Sequence, residues 1–324
     1  CLASLSRRQK GDLVDRILVT PRSLTLDPPP ELQLLAEAGF ELVFPPAGRQ
    51  PNEAELLGLV PGCVGWLAGV EAVSPRVVEA ADRLRAISRN GVGLDNLPMR
   101  ELERRGIRVL KAEGANSIGV AELTIGLMLA ALRRIPAADS GIKAGEWPRY
   151  RGAEIAGRTV GLVGCGAIGR HVASVTSAMG ANVIAYDPFR PDFETSGPFD
   201  WRELDDVFRE AAIISLHCPP PPGGQPLIDA RRLSEMRPRS ILVNTARAAL
   251  IDEDSVRTAL DEGRLAAYAT DVFAEEPPRP GSFASHSGVI ATSHIGGFTE
   301  ESVGKATRMA IANLLDALSA ERVG

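Results

Sequence analysis

At 324 residues the chain is long enough for two domains, each with its own core, because single cores stop growing below roughly 300 residues. Its 44% hydrophobic and 24% charged residues are ordinary for a globular protein and exclude fibrous or disordered classes. The net charge is only -5, and no basic block exceeds the RRQK at 7–10, so no nucleic-acid partner is expected. Cys1, Cys63, Cys165 and Cys218 lack the paired spacing of a disulfide framework or zinc site, which predicts a cytoplasmic protein with no bound metal. The most apolar stretch, 118–132, contains Glu122 and is shorter than the ~20 residues needed to cross a bilayer. It is read as a buried helix, and no membrane association is expected.

Residues 1–13 lack an initiator methionine and an apolar signal region, and are read as a leader or cloning scar. From Arg16, short apolar runs alternate with helix-patterned segments, the pattern of a parallel, doubly wound α/β sheet. RILVT, FELVF, CVGWLA, LRAIS and IRVLK are the predicted strands, with PELQLLAEAG, NEAELLGLV, PRVVEAAD and LPMRELERRG as helices between them. A long helix over 117–135 then leads to a second series of strands: RTVGLVG, NVIAYD, AIISLHC, SILVNTA, AAYATDV and GVIATS. A last helix over 300–320, apolar at Val303, Ala306, Ala310, Leu314 and Leu318, is expected to pack back on the first domain. The expected organisation is therefore a domain of 14–114 plus 296–324 into which 115–295 is inserted, with the crossing segments near Ala115 and Ile295 as a hinge.

Gly164, Gly166 and Gly169 form G-x-G-x-x-G between the strand TVGLV and the helix AIGRHVASVTSAMG. In that context the first glycine makes the tight turn, the second lets backbone approach a pyrophosphate, and the third packs helix on strand. The alternative is a tight strand-to-helix turn without a ligand. Asp187 ends the next strand, close to the spacing expected of a ribose-binding carboxylate, and it favours NAD over NADP. Arg190 nearby is the one residue that pulls the other way.

Arg247, Glu276 and His294 each follow a predicted strand, so a parallel sheet carries all three along its carboxyl rim, where open α/β folds bind ligands. A guanidinium can grip a carboxylate through two parallel hydrogen bonds. An imidazole beside a carboxylate is a proton donor suited to a developing alkoxide. Taken singly, each has a structural alternative: Arg247 as a cap or a partner of Glu253, Glu276 as a surface residue, His294 as a packed histidine. Together they suit the reduction of a 2-keto acid. The proline clusters at 219–222 and 277–280 lie in loops on the same rim, and Pro277 restricts how Glu276 points.

The segments NGVGLDN, NSIGVAELTIGLML, GLVGCGAIGR, YDP, LHCPPPP, NTARAALIDED, TDVFAEEP and SHIGGFT run in order over nearly the whole chain. In that combination the chain resembles the D-isomer-specific 2-hydroxyacid dehydrogenases, the group of phosphoglycerate, hydroxypyruvate and D-lactate dehydrogenases. The resemblance implies a Rossmann NAD-binding domain inserted into a flavodoxin-like substrate domain, with Arg247, Glu276 and His294 acting together. It implies cofactor contacts from Ala167 and Ile168 at the pyrophosphate, and from Cys218 and Pro219 on the adenosine side. Thr245, Ala246, Asp271, His294 and Gly296 would lie on the nicotinamide side, and backbone of Asn90, Gly91, Val92 and Gly93 would hold the substrate carboxylate. It also implies a homodimer.

Two departures stand out. Ala248 replaces a glycine usual in the family, and the loop LAGVEAVS carries Glu71 where phosphoglycerate-utilising members place basic residues near the phosphate. The second counts against a phosphorylated substrate, with 3-phosphoglycerate as the alternative. The rival from another class is an NAD-sensing protein akin to the family's corepressor relatives. Formate dehydrogenases are disfavoured, since they carry glutamine where Glu276 stands.

Overall fold

A computed structural model describes residues 14–319; residues 1–13, read above as a leader or cloning scar, and 320–324, the end of the expected first domain, lie outside the described residues. The chain divides into two compact units, one running to Asn116 and resuming at Glu300, the other spanning Ser117–Thr299.

The first unit begins with β1 (Arg16–Val19), α1 (Arg22–Leu26), α2 (Gln33–Glu37), β2 (Glu41–Val43) and α3 (Glu53–Leu59). It continues with β3 (Cys63–Ala68), α4 (Pro75–Ala80), β4 (Ala86–Arg89), α5 (Met99–Arg104) and β5 (Arg108–Lys111). The five strands are parallel in the order β2-β1-β3-β4-β5, the flavodoxin-like order. Helices on both faces explain why β3 is buried at every position and reads as a continuous apolar run. Local signals set the helix starts. Asn52 and Glu55 form a capping box on α3, and Ser74 caps α4 ahead of Pro75.

The second unit opens with α6 (Ser117–Arg133) and α7 (Ile135–Lys143), followed by β6 (Thr159–Val163), α8 (Ala167–Ala178), β7 (Asn182–Tyr186) and β8 (Phe199–Trp201). After these come α9 (Leu204–Glu210), β9 (Ile213–Leu216), α10 (Ala230–Glu235), β10 (Ser240–Asn244), α11 (Glu253–Asp261), β11 (Leu265–Thr270) and β12 (Val289–Ala291). Its seven parallel strands run β12-β11-β10-β9-β6-β7-β8, the Rossmann order with one strand added. The strand order reverses between β6 and β9. The predicted single helix over 117–135 instead breaks at Arg134, which takes a left-handed conformation (φ 53°) before α7 restarts with a proline in its first turn. β8 escapes the sequence pattern because it is only three residues long. An edge-to-face cluster of Phe193, Phe199 and Trp201 stabilises it, with centroids 4.8 and 5.0 Å apart.

The last helix, α12 (Glu300–Ser319), lies on the first unit's sheet and buries Ala310, Ile311, Leu314, Ala317 and Leu318 against Ile17, Val64 and Leu67. Gly65 of β3 permits the close approach, since a β-carbon there would sit 2.9 Å from Leu318 Cδ1. Val303, placed on the apolar face in the sequence reading, is only partly buried.

Candidate active site

Position on the sheet explains how separate motifs come to share one rim. β10, β11 and β12 are adjacent in the sheet. Arg247 lies three residues beyond β10, Glu276 six beyond β11 and His294 three beyond β12, all past carboxyl ends. His294 Nδ1 lies 2.9 and 2.8 Å from the two carboxylate oxygens of Glu276. The acceptor-only carboxylate fixes the tautomer, so Nδ1 carries its proton toward Glu276 and Nε2 is the nitrogen left to face a substrate. Glu276 is itself held by the backbone N–H of Phe273, which donates to Oε1 at 3.1 Å. Both side chains are partly open to solvent.

The histidine backbone is held from below. His294 has φ 55°, a region where a non-glycine residue is strained. Asp271, 2% exposed, accepts from Thr292 Oγ1 (2.6 Å) and Ile295 N (2.9 Å) through Oδ1 and from Gly296 N (2.8 Å) through Oδ2. Those bonds surround His294 on both sides in sequence. Asp271, which the resemblance sets against the nicotinamide, uses both oxygens on the histidine loop, and Gly296 approaches it so closely that a β-carbon would lie 3.0 Å from Oδ2.

Arg247 is extended (φ -144°), caps a short 3-10 turn over Ala248–Leu250, and its Nη1 donates to Ala246 O at 2.8 Å. Buried Asn244 brackets that turn: Oδ1 accepts from Ala246 N at 3.1 Å and Nδ2 donates to Arg247 O at 2.9 Å. Thr245 shares a 2.8 Å hydrogen bond with Thr124 of α6.

The three glycines of the fingerprint occupy different surroundings. Gly164 has φ 95°, and a β-carbon there would stand 2.5 Å from His217 O across the β6–β9 crevice. A β-carbon at Gly169 would meet Gly164 O at 2.3 Å, whereas one at Gly166 would meet nothing within 4 Å. Open space thus lies at the start of α8, where Gly166 supplies no side-chain cap and Ala167 is exposed, leaving first-turn N–H groups for an anion. Asp187, just past β7, accepts from Cys165 N (2.8 Å) and Phe189 N (2.9 Å), one bond per oxygen, so each keeps a lone pair for ribose hydroxyls. Arg190 points its Nη2 at Glu203 Oε1, 2.5 Å away. These features fit a dinucleotide without a 2′-phosphate. Cys218 and Pro219 follow β9 on the same rim. Burial pushes the Cys165 thiol up to about 12 and the Cys218 thiol up to about 11, so neither is a ready nucleophile.

In the first unit, the Asn90–Gly93 backbone follows β4. Asn90 N donates to Ala68 O at 2.9 Å, Gly91 adopts φ 147°, and the Arg89 guanidinium donates to Asn90 O at 2.6 Å. Glu71 does not project from its loop. It is 1% exposed, and Oε1 takes hydrogen bonds from Thr20 Oγ1 and, at 3.0 Å, from Gly69 N. Trp66 is likewise interior and donates to Thr20 Oγ1 at 2.9 Å. Among the described residues no group of three or more His, Cys, Asp or Glu is arranged to hold a metal, and no helix is long and apolar enough to cross a membrane.

Residues 125–296 match the family model for the NAD binding domain of D-isomer specific 2-hydroxyacid dehydrogenases. The chain belongs to this family. It is 38% identical over 253 residues to hydroxypyruvate reductase of Thermotoga maritima, covering 76% of this chain and 82% of that one. With D-3-phosphoglycerate dehydrogenase of Methanocaldococcus jannaschii it shares 42% identity over 233 residues, 71% of this chain but only 44% of that longer protein. Among solved structures, the TT0316 protein from Thermus thermophilus superposes with a TM-score of 0.83 at 33% identity, covering 94% of this chain and 97% of that one. An NAD+-bound 3-phosphoglycerate dehydrogenase from Entamoeba histolytica gives 0.78 at 25% identity over 95% and 96%.

Proposed function

We propose that this member of the family is an NAD-dependent dehydrogenase that interconverts a small 2-keto acid and its D-2-hydroxy acid. The observation that carries the reading is the His294–Glu276 pair on the rim that also bears Arg247. Gly166 and the first turn of α8, with Ala167 and Ile168, hold the pyrophosphate, and Asp187 the ribose. Cys218 and Pro219 flank the adenosine side, Thr245 and Ala246 the nicotinamide side. When bound, the nicotinamide supplies the hydride. Arg247 grips the substrate carboxylate and orients the carbonyl. His294 Nε2 delivers the proton to the carbonyl oxygen, while Glu276 orients the ring and offsets the imidazolium charge. Asp271 keeps the histidine loop in place. In the first unit, the backbone of Asn90, Gly91, Val92 and Gly93 is the proposed substrate-binding segment.

An unphosphorylated substrate is favoured because the loop at 69–74 carries no basic side chain. The names of several relatives make phosphohydroxypyruvate the competing substrate. Exposed Ile135, Ile142, Trp147 and Tyr150, on and after α7, support a homodimer, and the three described cysteines, all unpaired, support a cytoplasmic location. The test is NADH oxidation against glyoxylate, hydroxypyruvate, pyruvate, 2-ketobutyrate, oxaloacetate, 2-ketoglutarate and phosphohydroxypyruvate. His294→Ala should lower kcat by roughly 10²–10⁴, and Arg247→Lys should raise KM. No turnover with any keto acid, alongside retained NADH binding, would favour the sensor reading instead.

A further inference from the structure

Beneath the Arg247 turn lies a buried polar contact that the sequence motifs do not announce. Asn244 and Tyr268 are 0% and 1% exposed, on adjacent strands β10 and β11. Asn244 Nδ2, already donating to Arg247 O, is 3.3 Å from the Tyr268 hydroxyl. An amide nitrogen has two protons, and in a buried site each needs an acceptor. The Arg247 carbonyl takes one and the tyrosine oxygen the other. The tyrosine is itself fixed: its ring stacks on Phe283 with centroids 5.7 Å apart and planes 20° apart, and burial pushes its hydroxyl up to about 12, so it stays a neutral phenol. Thr270, two residues on, donates through Oγ1 to Asn244 O at 3.1 Å and ties the same two strands.

We propose that Tyr268 is a positioning residue for the carboxylate clamp: its hydroxyl fixes the Asn244 amide, which in turn fixes the backbone from which Arg247 reaches the substrate. The inference rests on the reading of Arg247 as that clamp. Removing the hydroxyl leaves a buried N–H of Asn244 unmatched, and the cheapest relief is rotation of the amide, which releases Arg247 O. The pyrophosphate- and ribose-facing groups at Gly166 and Asp187 share none of these bonds; on the cofactor side only Ala246, whose N–H Asn244 Oδ1 accepts, is touched, so cofactor affinity should change little.

The experiment compares full-length Tyr268→Phe, Arg247→Lys and the double variant, using KM for the best 2-keto acid, NADH dissociation constant by fluorescence, and melting temperature. Tyr268→Phe should raise KM by roughly five- to tenfold, at the lower end of the cost of an unmatched buried donor, and leave the NADH dissociation constant within about twofold. In the Arg247→Lys background it should add nothing further, because residues acting through one group are not additive. An unchanged KM in Tyr268→Phe, an effect that multiplies undiminished in the Arg247→Lys background, or a parallel loss of NADH affinity would each overturn the proposal. The clamp reading fails separately: if Arg247→Lys leaves KM unchanged, the clamp itself is wrong, whereas raised KM in Arg247→Lys with a silent Tyr268→Phe removes only the strut. If Tyr268→Phe melts well below the parent, KM is compared at a temperature at which circular dichroism shows both proteins fully folded; an unchanged KM there counts against the proposal.

Discussion

A histidine at positive φ persists only where its neighbours hold it, and here one carboxylate does most of the holding. In Asp271→Asn one oxygen becomes a donor facing the N–H and O–H groups it formerly served. We expect kcat to fall roughly 10- to 100-fold, with steady-state kinetics as the check and NADH affinity much less affected. His217 gives a pH signature. Burial lowers its imidazole to about 4 from 6.5, so the unfolded chain takes up a proton that the folded chain refuses. Its contribution to stability is complete above about pH 6.5 and is lost as pH falls toward 4, amounting to roughly 3 kcal/mol at full loss. Urea midpoints at pH 7.5 and 4.5 should therefore differ less in His217→Gln than in the parent. The common rim of Arg247, Glu276 and His294 was legible in the sequence because each follows an apolar strand and carries its polar chemistry in its own side chain. Asn244 with Tyr268, and Thr20 with Glu71, were not, because their roles exist only through the strand or loop that lies alongside. Glu71 shows the hazard: read as facing a substrate, it turns inward.

At the scale of elements, the turn from β6 into α8 makes one motif into three different constraints. Alanine at Gly164 or Gly169 would drive a β-carbon into backbone carbonyl oxygens at 2.5 and 2.3 Å. Each should cost roughly 2 kcal/mol or more and lower the melting temperature. Gly166→Ala should melt like the parent yet bind NADH about tenfold more weakly, since its new methyl points into open space wanted by the pyrophosphate. Calorimetry paired with NADH titration separates the two classes. Strands β6, β7, β9, β10 and β11 could be read ahead of the structure because two-sided burial leaves uninterrupted apolar runs. The break at Arg134 and the short β8 could not, since a left-handed residue and a three-residue edge strand leave no period to detect.

For the molecule as a whole, the parallel α/β class and the return of the last helix to the first unit were both visible in the order of apolar segments. What the pattern could not supply was strand order, which places the Gly-rich turn at the reversal between β6 and β9. Because α12 completes the first unit's core, ending the chain after Thr299 should leave it unable to fold. Eight buried positions of the helix are lost, and for the large apolar ones, Ile311, Leu314 and Leu318, the loss is about 1.5–3 kcal/mol each, against a typical total stability of about 5–15 kcal/mol. Soluble yield and circular dichroism of that truncation would show it.

The same feature imposes an order on synthesis. The five strands of the first unit leave the ribosome early, but the helix that covers the Gly65 side of their sheet comes roughly 180 residues later, about 10–40 s at ordinary elongation rates. Through that interval the second unit can fold around its own core while the first waits with an apolar face uncovered. The newborn chain thus passes through a stage in which one half is finished and the other is an exposed surface, the kind of intermediate on which chaperones act.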